Sequence, residues 1–145
     1  MAILEELVRK AQKDPKRVAV SECDSERMLQ AARTVLDAGI GYPVLVNDLA
    51  VIQETAEKAG IDLQGMEIVD STAPDAAEAL VKRYYPMAAK KNMSAEDYRD
   101  MIRDPMSYAM MLEAVGEADC SFQGHIHTTG MFCAAHCASS AWRTG

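Results

Sequence analysis

Short apolar segments that alternate with helical segments constrain the fold of this chain most strongly. Between the short apolar segments, apolar residues recur at helical spacing, and Gly, Pro or Asp lies at many of the boundaries. Such alternation predicts an α/β fold, a parallel sheet with helices on both faces. The four predicted strands are "RVAVSE" (17–22), "YPVLVN" (42–47), "MEIVD" (66–70) and "ADCSFQG" (118–124).

Six helices are predicted from the same spacing and from end signals. Asp48 suits the start of the third helix, and Gly60 suits its end. Gly39 and Gly41 are both expected to stop the second helix, and Ser94 to begin the fifth. The predicted helices cover about 3–12, 26–36, 49–59, 74–85, 94–103 and 105–115.

Length and charge limit the classes of function. A chain of 145 residues predicts one domain, and its net charge of −7 argues against binding to nucleic acid or to an anionic membrane. No run approaches the eighteen apolar residues of a membrane span, and the first residues lack a signal-peptide core. We therefore expect a cytoplasmic protein without a membrane partner.

Two loops are candidates for ligand binding, because ligands of parallel sheets bind beyond the carboxyl ends of the strands. In "SECDSER" (21–27) the acidic side chains would repel an anion, which favours a helix-capping loop. In "GHIHTT" (124–129) Gly124 is expected to let the backbone come close to another group, and it precedes three small donors, His127, Thr128 and Thr129. These residues suit phosphate or carbonyl recognition, or form a polar turn before a helix.

The end of the chain is dense in cysteine and histidine. The candidate ligands of a metal-binding module are His125, His127, Cys133, His136 and Cys137. Side chains two apart on a strand share a face, so His125 and His127 can both reach one metal. Structural zinc sites use four ligands in paired spacings, which are absent here, and no metal is therefore expected.

Five motifs in order resemble the phosphate acetyltransferase/phosphate butyryltransferase family. The family converts acetyl-CoA and phosphate to acetyl phosphate and CoA, or does the same with a longer acyl group. The motifs are "KRVAVSECDSER" (16–27), "AARTVLDAGIGYPVLVND" (31–48), "MEIVDS" (66–71), "KNMSAEDY" (91–98) and "VGEADCSFQGHIHTT" (115–129).

The resemblance implies a two-domain α/β fold with the active site in the cleft between the domains. Residues 1–130 would form an incomplete first domain, with Gly124, His127, Thr128 and Thr129 binding substrate. The substrates would be acetyl-CoA and phosphate, without a further cofactor. Hydroxyl and backbone donors would hold the thioester oxygen. An incomplete domain would leave apolar sheet and helix surface exposed, which predicts a homo-oligomer or self-association.

The sequence departs from the family pattern at three places. Ala88 takes the place of a phosphate-binding arginine of the family. The related domain of bifunctional malic enzymes also tends to lack this arginine, so a domain of that kind is an alternative assignment. Gln123 stands where serine is usual, and the resemblance stops after Thr129. Because the main catalytic residues of the family fall beyond this point, we expect a truncated and inactive acyltransferase.

A reading-frame shift accounts for the last departure. Reverse translation of the tail, read one base out of frame, forces Val and Leu at the Met131–Phe132 and Phe132–Cys133 junctions, and Leu at His136–Cys137. Permitted codons complete "DVLRRALRLIGLEDG", which matches the family's continuation. Residues 131–145 are therefore interpreted as an out-of-frame tail that ends at an early stop and forms no domain.

Overall fold

The computed structural model describes residues 2–89 and 94–126. Its elements follow the predicted alternation of strand and helix. In chain order they are α1 (Ala2–Lys13), β1 (Lys16–Val20), α2 (Glu26–Asp37), β2 (Gly41–Asn47), α3 (Leu49–Ala59), β3 (Glu67–Asp70), α4 (Pro74–Ala89), α5 (Ala95–Arg103), α6 (Pro105–Ala114) and β4 (Cys120–Phe122).

The four strands form one parallel sheet in the order β3-β2-β1-β4. Val20, at the end of β1, lies opposite Leu45 of β2 on one side and Phe122 of β4 on the other. The chain first builds outward from β1 to β3 and then returns to place β4 on the other side of β1. The carboxyl ends of β1 and β4 therefore flank the point where strand order reverses, which is where such sheets bind ligands.

Helices cover both faces of the sheet, as predicted. Along β1 the side chain of Val20 faces α2 and α3, whereas that of Ala19 faces the opposite layer. The second layer contains α4, α5 and α6, and Tyr98 and Met111 are fully buried in it. This alternation along a strand is the period of two that a sheet buried on both faces requires.

Side-chain caps begin four of the helices where the chain leaves a loop. The Asp48 carboxylate accepts a hydrogen bond from Ala50 N at 2.8 Å, and Ser94 Oγ accepts one from Asp97 N at 3.0 Å. Both helix starts were predicted. Ser25 and Asp104 cap α2 and α6 in the same way. Each cap satisfies a backbone donor that the first turn leaves open.

Several predicted boundaries are wrong. The first strand ends at Val20 instead of residue 22, and the fourth covers only Cys120–Phe122 of the predicted 118–124. Gly39 follows α2 with φ +65°, as a helix stop does, but Gly41 is the first residue of β2. A Cβ at Gly41 would lie 3.2 Å from Lys16 O, so this glycine allows β1 and β2 to approach closely. α4 was expected to end at Tyr85, before Pro86, but it continues to Ala89. Proline removes one hydrogen bond from a helix without always ending it.

The first helix packs least. α1 buries none of its residues, and its apolar residues Ile3, Leu4 and Leu7, which recur at helical spacing, are 56–77% exposed. A hydrogen bond of 2.8 Å from Gln12 Nε2 to Ala38 O joins its end to the chain after α2. Across residues 2–89 and 94–126, no helix is long and apolar enough to cross a membrane.

Candidate functional site

A row of polar side chains crosses the carboxyl edge of the sheet. Ser71, Asn47, Ser21 and Gln123 follow or end β3, β2, β1 and β4, in the spatial order of the strands. The Ser21 hydroxyl donates to Gln123 Oε1 at 2.7 Å, and Asn47 Nδ2 donates to Ser21 O at 3.1 Å. Ser71 N donates to Asn47 O at 3.2 Å. These bonds tie the loops after all four strands into one edge.

Glu22 joins the two loops that the sequence singled out. Its carboxylate accepts hydrogen bonds from three successive backbone N–H groups after β4. Oε1 accepts from Gly124 N and Ile126 N, both at 3.1 Å, and Oε2 accepts from His125 N at 2.6 Å. The Glu22 side chain is only 1% exposed. The loop 21–27 and residues 124–126 therefore meet at the reversal point of the sheet.

The three N–H groups at 124–126 converge on one place, which is a typical arrangement for binding an anion. In this chain that place is filled by an internal carboxylate. Hydrogen bonds to a charged acceptor are stronger than neutral ones, and they offset the cost of burying Glu22. An anionic ligand at this edge would therefore need donors other than these three N–H groups.

Gly124 provides the backbone conformation that this turn requires. Its φ is +101°, a region that side-chain-bearing residues rarely adopt. A Cβ added there would meet nothing within 4 Å among the described residues. The glycine is therefore needed for its conformation, whereas the sequence had suggested the close approach of another group.

The loop after β1 also caps α2, as predicted. Ser25 Oγ accepts from Met28 N at 3.4 Å, while the Asp24 and Glu26 side chains are exposed. Between Glu22 and this cap lies Cys23, which is fully buried and donates to Val20 O at 3.1 Å. Burial, with smaller contributions from Asp24 and Glu22, raises the pKa of the Cys23 thiol to about 12. Cys23 is thus a neutral packing residue here.

Two buried polar atoms near the row have no hydrogen-bond partner among the described residues. They are Ser71 Oγ and Gln123 Nε2. The Ser71 residue is completely buried, and the other end of the Gln123 amide is held by Ser21. Because an unpaired buried polar group lowers the stability of the folded state, each atom either destabilises the fold locally or is available to donate to a ligand.

The structure brings one predicted binding residue, Gly124, to this edge. The predicted binding residues His127, Thr128 and Thr129 lie outside the described residues. Ala88 is in the last turn of α4. Glu22, which accepts hydrogen bonds from the backbone of residues 124–126, was interpreted from the sequence only as a charge that repels anions. The signal that indicates its role is a carboxylate placed directly after a buried strand.

The metal-binding alternative rests mostly on residues that the structure does not describe. Of the five candidate ligands, only His125 lies among the described residues, and its side chain is exposed. Among residues 2–89 and 94–126, no group of three or more His, Cys, Asp or Glu side chains is arranged to hold a metal ion.

A parallel sheet whose strand order reverses beside two joined loops defines an α/β domain, a class whose members bind ligands at the strand ends. The sequence pattern of the phosphate acetyl/butaryl transferase family matches residues 2–137. The chain belongs to this family of acyltransferases.

Curated relatives carry the same family assignment. Over 130 residues the chain is 32% identical to a phosphate acetyltransferase from Clostridium acetobutylicum. The aligned region covers 90% of this chain and 39% of the relative. A phosphate acetyltransferase from Treponema pallidum is 31% identical over 130 residues, or 89% of this chain and 39% of the relative. The chain thus spans about two fifths of the length of these relatives.

Solved structures support the fold. A phosphotransacetylase from Streptococcus pyogenes superimposes with a TM-score of 0.82 at 21% identity, over 92% of this chain and 40% of that one. A phosphotransacetylase from Staphylococcus aureus gives a TM-score of 0.69 at 23% identity, over 84% of this chain and 38% of that one. The predicted fold class, a parallel sheet with helices on both faces, is therefore confirmed, and it matches about two fifths of each of these structures.

Proposed function

We propose that this chain carries one side of the active site of a phosphate acetyltransferase. The observation that carries the proposal is the meeting of the loops after β1 and β4, joined by Glu22, in a chain whose family match spans residues 2–137. The curated relatives named above are phosphate acetyltransferases, which favours an acetyl group over a longer acyl group.

In the proposed reaction, a phosphate oxygen attacks the thioester carbonyl carbon of acetyl-CoA. A C–O bond forms, the C–S bond breaks, and the CoA thiolate leaves and takes a proton. The carbonyl oxygen gains negative charge on the way, so catalysis needs donors placed around it. Acetyl-CoA is a substrate here and CoA a product, and the proposed reaction uses no further cofactor and no metal.

The donors proposed to stabilise this charge come directly after the backbone N–H groups that Glu22 binds. The N–H groups of Gly124, His125 and Ile126 already point at the Glu22 carboxylate. Substrate recognition is therefore assigned to the next residues, His127, Thr128 and Thr129. Their small hydroxyl and imidazole donors suit a phosphate or a thioester oxygen.

Isothermal titration of the purified 145-residue chain with acetyl phosphate tests this proposal. We expect saturable binding that inorganic phosphate competes away, and no binding of methyl acetate as a control. Thr128→Ala should weaken the binding, whereas Thr72→Ala, in the loop after β3, should leave it unchanged. An acetyl phosphate formation assay should show turnover at background only, because the family's main catalytic residues fall outside the matched motifs. Absence of acetyl phosphate binding would contradict the proposal.

The chain is also proposed to self-associate through α1. Its exposed apolar residues form one stripe, with Glu5 and Glu6 in the first half of the helix and Arg9, Lys10 and Lys13 in the second. Two copies of α1 in antiparallel contact would place each acidic half beside a basic half. Such a contact is self-complementary about a two-fold axis, which is the commonest symmetry of homo-oligomers.

The out-of-frame origin of residues 131–145 stays a prediction, as does a cytoplasmic location. The family match ends at residue 137, seven residues into this segment. Sequencing of the coding DNA tests the prediction. We expect a run of G at the Gly130 codon, and a second frame that encodes the family's continuation. A single open frame without that alternative would contradict it.

A further inference from the structure

The contact between Glu22 and the turn at 124–126 is built from both sides. On the Glu22 side, β1 ends at Val20, which pairs directly with Phe122 at the end of β4. On the side of the turn, the Gln123 side chain accepts a hydrogen bond of 2.7 Å from the Ser21 hydroxyl. The Glu22 carboxylate follows β1 and the turn follows β4. Because these two strands are hydrogen-bonded to each other, the position of the carboxylate relative to the turn is fixed.

Capping of α2 does not account for Glu22. The cap is Ser25, whose hydroxyl accepts from Met28 N, and the exposed carboxylate in the first turn is that of Glu26. Glu22 faces the other way, toward a segment 102–104 residues later in the chain. The loop after β1 therefore has two separate tasks, one for the helix and one for the loop after β4.

The three hydrogen bonds determine how the chain leaves β4. Gly124 adopts φ +101°, and this lets successive N–H groups at 124, 125 and 126 turn toward one carboxylate. A segment whose backbone donors are all engaged by a buried charge is much less free to open. Residue 127, the first of the proposed binding residues, starts from this anchored turn.

We propose that Glu22 is a positioning residue for the substrate loop of this family member. It acts through the backbone of residues 124–126 and does not itself contact substrate. The substrate part of this inference rests on the proposed function, because it assumes that residues 127–129 bind acetyl phosphate. The part that concerns the turn stands on the hydrogen bonds and burial of Glu22 alone.

Amide hydrogen exchange, measured residue by residue on the full 145-residue chain, tests the first part. In Glu22→Gln the side chain keeps its size but loses its charge. Exchange at Gly124, His125 and Ile126 should accelerate at least about tenfold, while exchange at Val20 and Leu45 in the strands stays unchanged. Glu26→Gln, which neutralises the exposed carboxylate of the same loop, should change none of these rates. Unchanged exchange at 124–126 in Glu22→Gln would overturn the proposal.

Titration with acetyl phosphate tests the second part. Glu22→Gln should weaken binding at least about tenfold, and Glu22→Asp, which keeps the charge on a shorter side chain, should restore part of it. Faster exchange without weaker binding would show that Glu22 serves stability alone, and would overturn the positioning role. If the wild-type chain binds no acetyl phosphate, the proposed function fails, while the exchange rates still decide whether Glu22 holds the turn.

Discussion

The Glu22 carboxylate accepts a hydrogen bond of 2.6 Å from the backbone N–H of His125, 103 residues away in the chain. This contact connects the end of the first strand to the loop after the fourth at the point where strand order reverses. A buried charge requires this compensation, so the carboxylate and the turn depend on each other. Changes on either side of the contact should therefore have measurable effects.

Gly124→Ala should destabilise the protein by about 1–3 kcal/mol, because alanine is strained at φ +101° even though its methyl group meets none of the described residues within 4 Å. Gly60 is the matched control, since its φ of +65° lies in the left-handed region that asparagine tolerates. Urea denaturation should show Gly60→Asn close to wild type and Gly124→Asn clearly weaker. Equal losses at the two positions would argue against a special conformation at Gly124.

Two buried serines of the polar row should respond in opposite directions. Ser71 Oγ has no hydrogen-bond partner among the described residues, so Ser71→Ala should be neutral or stabilise by about 1 kcal/mol. Ser21→Ala removes the donor to Gln123 and should destabilise by about 1–2 kcal/mol. Thermal unfolding of the two variants measures the difference. A clear loss of stability in Ser71→Ala would mean that its hydroxyl has a partner.

The buried Cys23 thiol should make folding sensitive to alkaline pH. Its pKa is about 12 in the folded protein and about 9 in the unfolded chain. The unfolded chain therefore releases this proton first, and the free energy of unfolding falls between pH 9 and pH 12. The slope from this one group is about 1.4 kcal/mol per pH unit at most.

Urea denaturation of Cys23→Ala at several pH values isolates that contribution. The variant should be less stable than wild type at pH 8, and the difference should shrink as the pH rises toward 12. Cys120, which is exposed, is the comparison. Partial burial also raises the pKa of its thiol, so Cys120→Ala should reduce the slope in the same direction but less than Cys23→Ala does. Parallel curves for wild type and Cys23→Ala would show that the thiol is not protected from ionisation.

Self-association should depend on the apolar stripe of α1. Leu4→Lys places a charge on a side chain that is 65% exposed, so it should not disturb the fold but should weaken contact with a second copy. Sedimentation velocity should show a shift from dimer toward monomer. Phe122→Lys, at an exposed apolar residue outside α1, is the control and should leave the distribution unchanged. Equal effects of the two variants would indicate nonspecific apolar contact instead of an α1 interface.

Local signals in the sequence were enough to predict the α/β class and most of its elements. Runs such as "YPVLVN" are too apolar for an exposed strand, and caps such as Asp48 and Ser94 act within a few residues of their own position. The role of Gly41 was missed because it depends on the backbone of Lys16 in a neighbouring strand. The continuation of α4 through Pro86 was missed because proline reports only a local preference.

The site was harder to predict for the same physical reason. Strand order decides which loops meet, and nothing near Glu22 in the sequence shows that β4 pairs with β1. Without knowledge of that pairing, a carboxylate in "SECDSER" can be interpreted only as a charge that repels anions. With it, the same carboxylate becomes an acceptor for the backbone at 124–126.

The central claim is that substrate binds at the edge where the loops after β1 and β4 meet. Its most direct test is a titration of the ¹⁵N-labelled chain with acetyl phosphate, followed through the backbone amide signals. We predict that the signals of residues 21–25 and 124–126 shift together and saturate, while those of Gly60 and Gly116, in distant turns, stay in place. Shifts confined to other parts of the chain, or none at all, would contradict the account.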